Sequence, residues 1–250
     1  MINLNFEFTG WDALLLVVVS LMGTAVAYVH HPRRKALILS LPIPFTAVVL
    51  SQGHGVNATH VLGLLLLLFY TYGVRFMHVN LRLPIVMSIA FAAGGYAVAG
   101  VVLARHVPAT PAAFWLAAGA VFLLAAALHG LVPHRDEPGH RTPLPVWIKL
   151  PIIAVVVMAL IISKKMLQGF MATFPMVSLL AAYEARHSLW TVCRAIPALT
   201  LCMVPMFSVM YIAEPHIGLA GALAAGWVAY LSLMIPLMRK QRQDWEVNEG

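Results

Sequence analysis

Apolar residues in this chain come in long unbroken blocks, not at alternating positions and not on one helical stripe. A helix needs about 17–25 mainly apolar residues to cross a hydrocarbon core of about 30 Å. Nine blocks of that kind recur: 12–29, 36–52, 60–78, 84–104, 111–130, 146–163, 167–184, 188–212 and 217–238. Spanning strands would instead read as alternating segments of about 10 residues. The pattern predicts an all-α polytopic membrane protein with about nine transmembrane helices. Composition agrees: 61% of residues are hydrophobic and 10% charged, with mean hydropathy +0.87, against about 25% charged in soluble domains.

Within the blocks, punctuation repeats. Leu41-Pro42-Ile43-Pro44-Phe45 in the second block is echoed by Thr173-Phe174-Pro175-Met176-Val177 in the seventh. Ala92-Ala93-Gly94-Gly95-Tyr96 in the fourth is echoed by Ala224-Ala225-Gly226-Trp227 in the ninth. The offsets are 133 and 132 residues, as a duplication with one insertion or deletion gives. An odd helix between two four-helix copies turns the second copy upside down, so the expected plan is a 4+1+4 inverted-topology repeat, a recurrent design of transporters. The expected boundaries are 1–105 for the first repeat, 106–145 for the linker helix with its loops, 146–238 for the inverted repeat, and 239–250 for a tail. Pro and Gly crowd the two linker joints, 106–111 and 133–140, as loops do.

Charge sets an orientation. With an external N-terminus, 13 of the 16 Lys and Arg residues fall on the cytoplasmic side, among them Arg33, Arg34, Lys35, Arg75 and Arg194; Arg105, Lys164 and Lys165 do not. Such a bias predicts N-terminus outside and C-terminus cytoplasmic, in a bacterial inner membrane. The first helix reads as retained, because its preceding segment carries Glu7 and no cation, unlike a secretory signal. The net charge of +7 has no soluble basic domain to hold it, so nucleic acid is not an expected partner. Cys193 and Cys202 lie on one helix nine residues apart and cannot bridge.

From about Lys149 to Met234 the chain resembles the GlpM family of small four-helix inner-membrane proteins. The likeness rests on an apolar helix ending in Ser163-Lys164-Lys165, on Phe174-Pro175 followed by Leu180-Ala181-Ala182-Tyr183, on Arg186, and on Pro205-Met206-Phe207. It implies architecture: a fused duplication of a unit that alone would pair as an antiparallel dimer. It also admits an accessory role in envelope or polysaccharide assembly.

Prolines inside spans free backbone carbonyls and break helices, and matched breaks in inverted repeats point to a solute site. Pro42, Pro44 and Pro175 are therefore candidate pathway residues. Tyr183, Glu184 and His187 near one end of the seventh block, and Gln52, His54 and Asn57 at the end of the second, are candidate polar vestibules. Arg75 and Arg194 are read as anion-attracting or as inner anchors reaching the interface. Cys202, Met203, Met206 and Met210 are weak metal candidates, since Met more often fills cores, and no resident metal or cofactor is expected. The Gly-rich fourth and ninth helices suit close packing or a homodimer face. No enzyme signature is present. The expected function is a transporter or channel for a small neutral or anionic solute within the lipid bilayer; the alternatives are the accessory role and lipid handling between leaflets.

Overall fold

The computed structural model describes residues 10–29, 32–132 and 167–248, with the single positions 137, 151 and 158. The expected span 146–163, Lys164 and Lys165, and most of the joint 133–145 lie outside the described residues. Those described are helical, with no strand among them. The helices are α1 (Gly10–Tyr28), α2 (Pro32–Leu39), α3 (Ile43–Gln52), α4 (Ala58–Arg75), α5 (Ile85–His106), α6 (Pro111–Leu131), α7 (Met176–Glu184) and α8 (Leu189–Asn248). A π-turn, Phe76–Asn80, extends α4, and a 3-10 turn, Gln168–Met171, precedes α7.

Five helical stretches are long and apolar enough to cross a membrane: Lys35–Gln52, Ala58–Asn80, Ile85–His106, Pro111–Leu131 and Leu189–Arg239. α1 holds a shorter apolar run, Ala13–Val26. The last stretch is not one rod. Gly218 has φ 69 and ψ 174, a backbone region that is essentially glycine-only. Cys202 Sγ lies 3.8 Å from Met234 Sδ, and a Cβ on Gly226 would lie 2.6 Å from Met210 Cγ. These pairs are equidistant from Gly218 in sequence, so the two arms of α8 fold back antiparallel about it. The turn falls two residues inside the ninth expected span, because backbone freedom and not polarity decides where the chain reverses.

Local chemistry explains the other boundaries. Gly53 ends α3 in the left-handed conformation (φ 70), and its N–H returns to Val49 O at 3.0 Å, a glycine C-cap. Asn57 caps α4: its Oδ1 accepts the Thr59 amide at 3.0 Å, while His60 Nδ1 accepts the Asn57 amide at 3.1 Å. This is a reciprocal capping box with His in the usual Glu/Gln place. Pro111 fills the first turn of α6, where no N–H is needed, and Thr110 Oγ1 accepts the Ala113 amide. α8 is capped from the linker: Glu137 accepts the amides of Trp190 at 3.2 Å and Thr191 at 2.7 Å, and the Thr191 hydroxyl at 2.8 Å. A carboxylate there also meets the positive end of the helix dipole.

α4 is the hub, packing against α5, α6, α8 and the 3-10 turn, while α1 packs against α2, α3 and α7. The linker helix α6 belongs to the bundle; Phe114 is buried and stacks on Tyr211 at 4.1 Å. Large apolar side chains stay exposed on α5, α6 and the second arm of α8, among them Phe91, Val98, Leu116, Leu123 and Val228. An apolar helix with an apolar outer face suits hydrocarbon, not water.

Candidate functional site

The chain is interrupted at two prolines, between α2 and α3 and between the 3-10 turn and α7. α2 ends by tightening: Leu41 N–H reaches back to Ile38 O at 3.2 Å. Pro42 then has no N–H to continue the ladder, and its ring disfavours helix at Leu41. α3 restarts at once. The second break runs through Ala172–Pro175, between the 3-10 turn and α7. The two prolines adopt nearly one conformation, φ −79 and ψ 33 at Pro42, φ −73 and ψ 48 at Pro175. Each offers its carbonyl to the amide four residues on, Thr46 at 3.0 Å and Leu179 at 2.8 Å. Neither new helix has a side-chain cap.

Both breaks line one partly open cavity of about 70 Å³. Its wall includes Pro42, Pro44, Phe45, Thr173, Pro175 and Ser178, and the rest is Leu, Met, Ala, Val and Phe174. Among the described residues no charged side chain lines it. The volume holds a few waters or one small solute.

The two broken segments run antiparallel. A Cβ on Gly169, just before one break, would lie 2.5 Å from His60 Nδ1 at the start of α4. At the other end of that segment, Lys35 Nζ, at the start of α2, donates to Glu184 O at 3.1 Å. The two half-helices that start at the cavity, α3 and α7, therefore leave it in opposite directions.

Two buried tyrosines hold the breaks. The Tyr96 hydroxyl on α5 lies 2.9 Å from Phe170 O, 3.0 Å from Thr173 Oγ1 and 3.3 Å from Gly63 O. The Tyr230 hydroxyl, on the second arm of α8, donates to Ser40 O, the carbonyl freed where α2 stops. Close by, Trp227 Nε1 donates to Thr46 Oγ1 at 2.8 Å. Sequence reasoning did not single out these tyrosines, because a lone Tyr in an apolar helix looks like any interface aromatic. The usable signal was the fourth-to-ninth echo: continued past Tyr96, it reaches Tyr230 with a shift of two residues.

Of the expected site residues, only Pro42, Pro44 and Pro175 meet at the cavity, joined there by Met203. Gln52, His54 and Asn57 stand at the far end of α3, and Asn57 spends its side chain on the α4 cap. Tyr183, Glu184 and His187 stand at the far end of α7. Glu184 is buried and His187 exposed, while Tyr183 carries the Arg186 guanidinium over its ring at 5.1 Å. Arg75 lies over the Trp190 ring at 4.5 Å, a cation–π contact on a half-buried side chain. Arg194 is half-buried on the first arm of α8. Met206 and Met210 pack on Gly226 of the opposite arm, and Cys202 on Met234. Among the described residues no cluster of three His, Cys, Asp or Glu could hold a metal. Gly226 and Gly100 are close-packed, Gly100 against Leu167 and Phe170, whereas Gly94 and Gly95 face outward with open space beside them. Lys35, grouped by sequence with the inner anchors, is 1% exposed and is an internal helix-end partner.

The fold and cavity define a class only: an all-helical protein with several helices apolar enough for a membrane. Compared with known proteins, the chain matches no family model, no curated protein and no solved structure.

Proposed function

We propose that the protein is an inner-membrane transporter or channel for a small neutral or anionic solute, which passes through the cavity between the two proline breaks. The observation that carries this reading is one cavity walled by both breaks. A polar backbone interruption at membrane depth is tolerated where it is buried in protein or lines a solvated cavity. A lining without charge disfavours a highly charged cation, whose desolvation nothing there would offset.

The reading includes an inverted repeat. Exchanging the halves by the 133-residue offset between Pro42 and Pro175 carries Thr173 onto Ser40 and brings Tyr96 within one residue of Tyr230. The Tyr96–Thr173 contact is thereby exchanged for the Tyr230–Ser40 contact. Such crossed pairing is what a pseudo-two-fold axis through the cavity produces. The nine spans, external N-terminus and cytoplasmic C-terminus belong to the same proposal, as does the likeness of the second half to GlpM proteins.

The test is flux in reconstituted vesicles, with swelling recorded for urea, glycerol and acetamide, and formate efflux recorded separately. Wild-type protein should speed at least one of these above protein-free vesicles, and Pro175→Ala, which lets the helix continue through the cavity wall, should slow it several-fold. Permeation equal to empty vesicles for every solute would refute transport and turn attention to an assembly-partner pulldown.

A further inference from the structure

The two ring nitrogens of His60, which is fully enclosed, have different fates. Nδ1 accepts the Asn57 amide at 3.1 Å. Nδ1 also lies 3.1 Å from Asn57 Oδ1, but that oxygen already receives the Thr59 amide at 3.0 Å and the Thr59 hydroxyl at 2.6 Å; we therefore assign Nδ1 as the acceptor and the proton of the neutral ring to Nε2. That Nε2–H has no hydrogen-bond partner among the described residues. A buried donor left unmatched costs about 1–3 kcal/mol. The α4 cap does not need it, because Gln or Glu at this position would serve the cap equally well.

The surroundings say where a partner could come from. Gly169 covers the Nδ1–Cε1 edge, since its Cβ would lie 2.5 and 2.7 Å from those atoms. Three rings flank the imidazole: exposed His54 at 6.1 Å, Phe45 at 6.3 Å and Phe207 at 6.4 Å. Phe45 and Phe207 stack on each other at 4.7 Å, and Phe45 is also part of the cavity wall. His54, His60 and Phe45 thus form a continuous series from the protein surface to the cavity.

We propose that His60 Nε2–H is a binding donor between the exposed His54 and the cavity wall at Phe45. It receives a small hydrogen-bond acceptor that arrives beside His54 and enters when the Phe45–Phe207 stack parts. A neutral acceptor, a carbonyl or hydroxyl solute, is favoured over an anion. The reason is Glu214, whose carboxylate lies against Gly55 in the loop next to His54 and puts a negative charge at the entrance. The passage rests on the transport reading; the binding step does not.

The experiment uses full-length protein with 15N-labelled histidine in nanodiscs, titrated separately with acetamide, urea and formate. His60→Gln, which keeps a capping side chain, identifies the His60 resonance by its loss. A saturable shift of the His60 Nε2 signal with acetamide or urea, and a weaker one with formate, is expected. No shift with any of the three overturns the proposal, and a shift with formate alone overturns the preference for a neutral ligand. In parallel vesicle swelling, His60→Gln should lower the rate about two- to tenfold, the equivalent of one hydrogen bond. Unchanged swelling in that variant overturns the role of His60 and leaves transport standing. A saturable His60 shift without wild-type swelling does the reverse.

Discussion

Replacing Tyr96 with Phe removes one oxygen and almost no volume, so its cost isolates the latch on the second break. Three acceptors surround that hydroxyl within 3.3 Å, but they do not all lose equally. Gly63 O lies inside α4 and keeps its helical partner. Phe170 O still has the Thr173 hydroxyl at 3.4 Å, and Thr173 keeps that carbonyl as its own acceptor. What is lost is one buried hydrogen bond with partial rearrangement of its neighbours, which places the cost near the middle of the usual range, about 1–2 kcal/mol. For a chain of this size that corresponds to a fall in Tm of about 2–8 °C, measurable by intrinsic fluorescence in detergent. A thermodynamic cycle sharpens the test. Thr173→Val breaks the same contact, so Tyr96→Phe and Thr173→Val together should cost at least about 0.5 kcal/mol less than their sum. Tyr96→Phe and Tyr230→Phe share no partner and should add. Strict additivity of the first pair, or a Tyr96→Phe protein as stable as wild type, would show that Tyr96 does not hold the break.

Three further outcomes follow from other contacts. Gly169→Ala drives a methyl into His60 and Thr59; overpacking of this kind costs about 1–3 kcal/mol, and the variant should melt earlier even though Ala favours the backbone there. Gly218→Ala meets no atom within 4 Å, yet should cost about 1–3 kcal/mol from φ 69 alone, and cross-linking between the arms at 202 and 234 should weaken; unchanged melting would mean the arms are not folded about Gly218. Glu137→Ala removes the α8 cap and should cost about 0.5–2 kcal/mol; protease sensitivity at the start of α8 is the readout.

Legibility in the sequence followed how local the governing chemistry is. Helix class and the breaks at Pro42 and Pro175 were readable, because apolar length and a missing N–H act at the residues that show them. The span bounds 188–212 and 217–238 put the turn at 213–216, just before Gly218, since composition does not reveal which glycine takes a positive φ. Asn57 read as part of a polar vestibule; its reciprocal cap with His60 depends on Nδ1 reaching one amide, which spacing alone does not disclose. The tyrosine latches and the burial of Lys35 were not legible, as each depends on a partner 74 to 190 residues away.

That longest separation has a bearing on how the protein is made. Ser40 O and its Tyr230 donor are 190 residues apart, so the carbonyl exposed where α2 stops cannot be capped by its own half of the chain. At a synthesis rate of about 5–20 residues per second, roughly 10–40 s pass between the emergence of the two residues. Through that interval the Ser40 carbonyl lacks its Tyr230 donor and needs another hydrogen-bond donor, such as water. Its final geometry is set only when nearly the last helix arrives. Loss of the C-terminal arm, remote from α2 in sequence, should therefore leave the N-terminal half inserted but unlatched, and a target for membrane quality control.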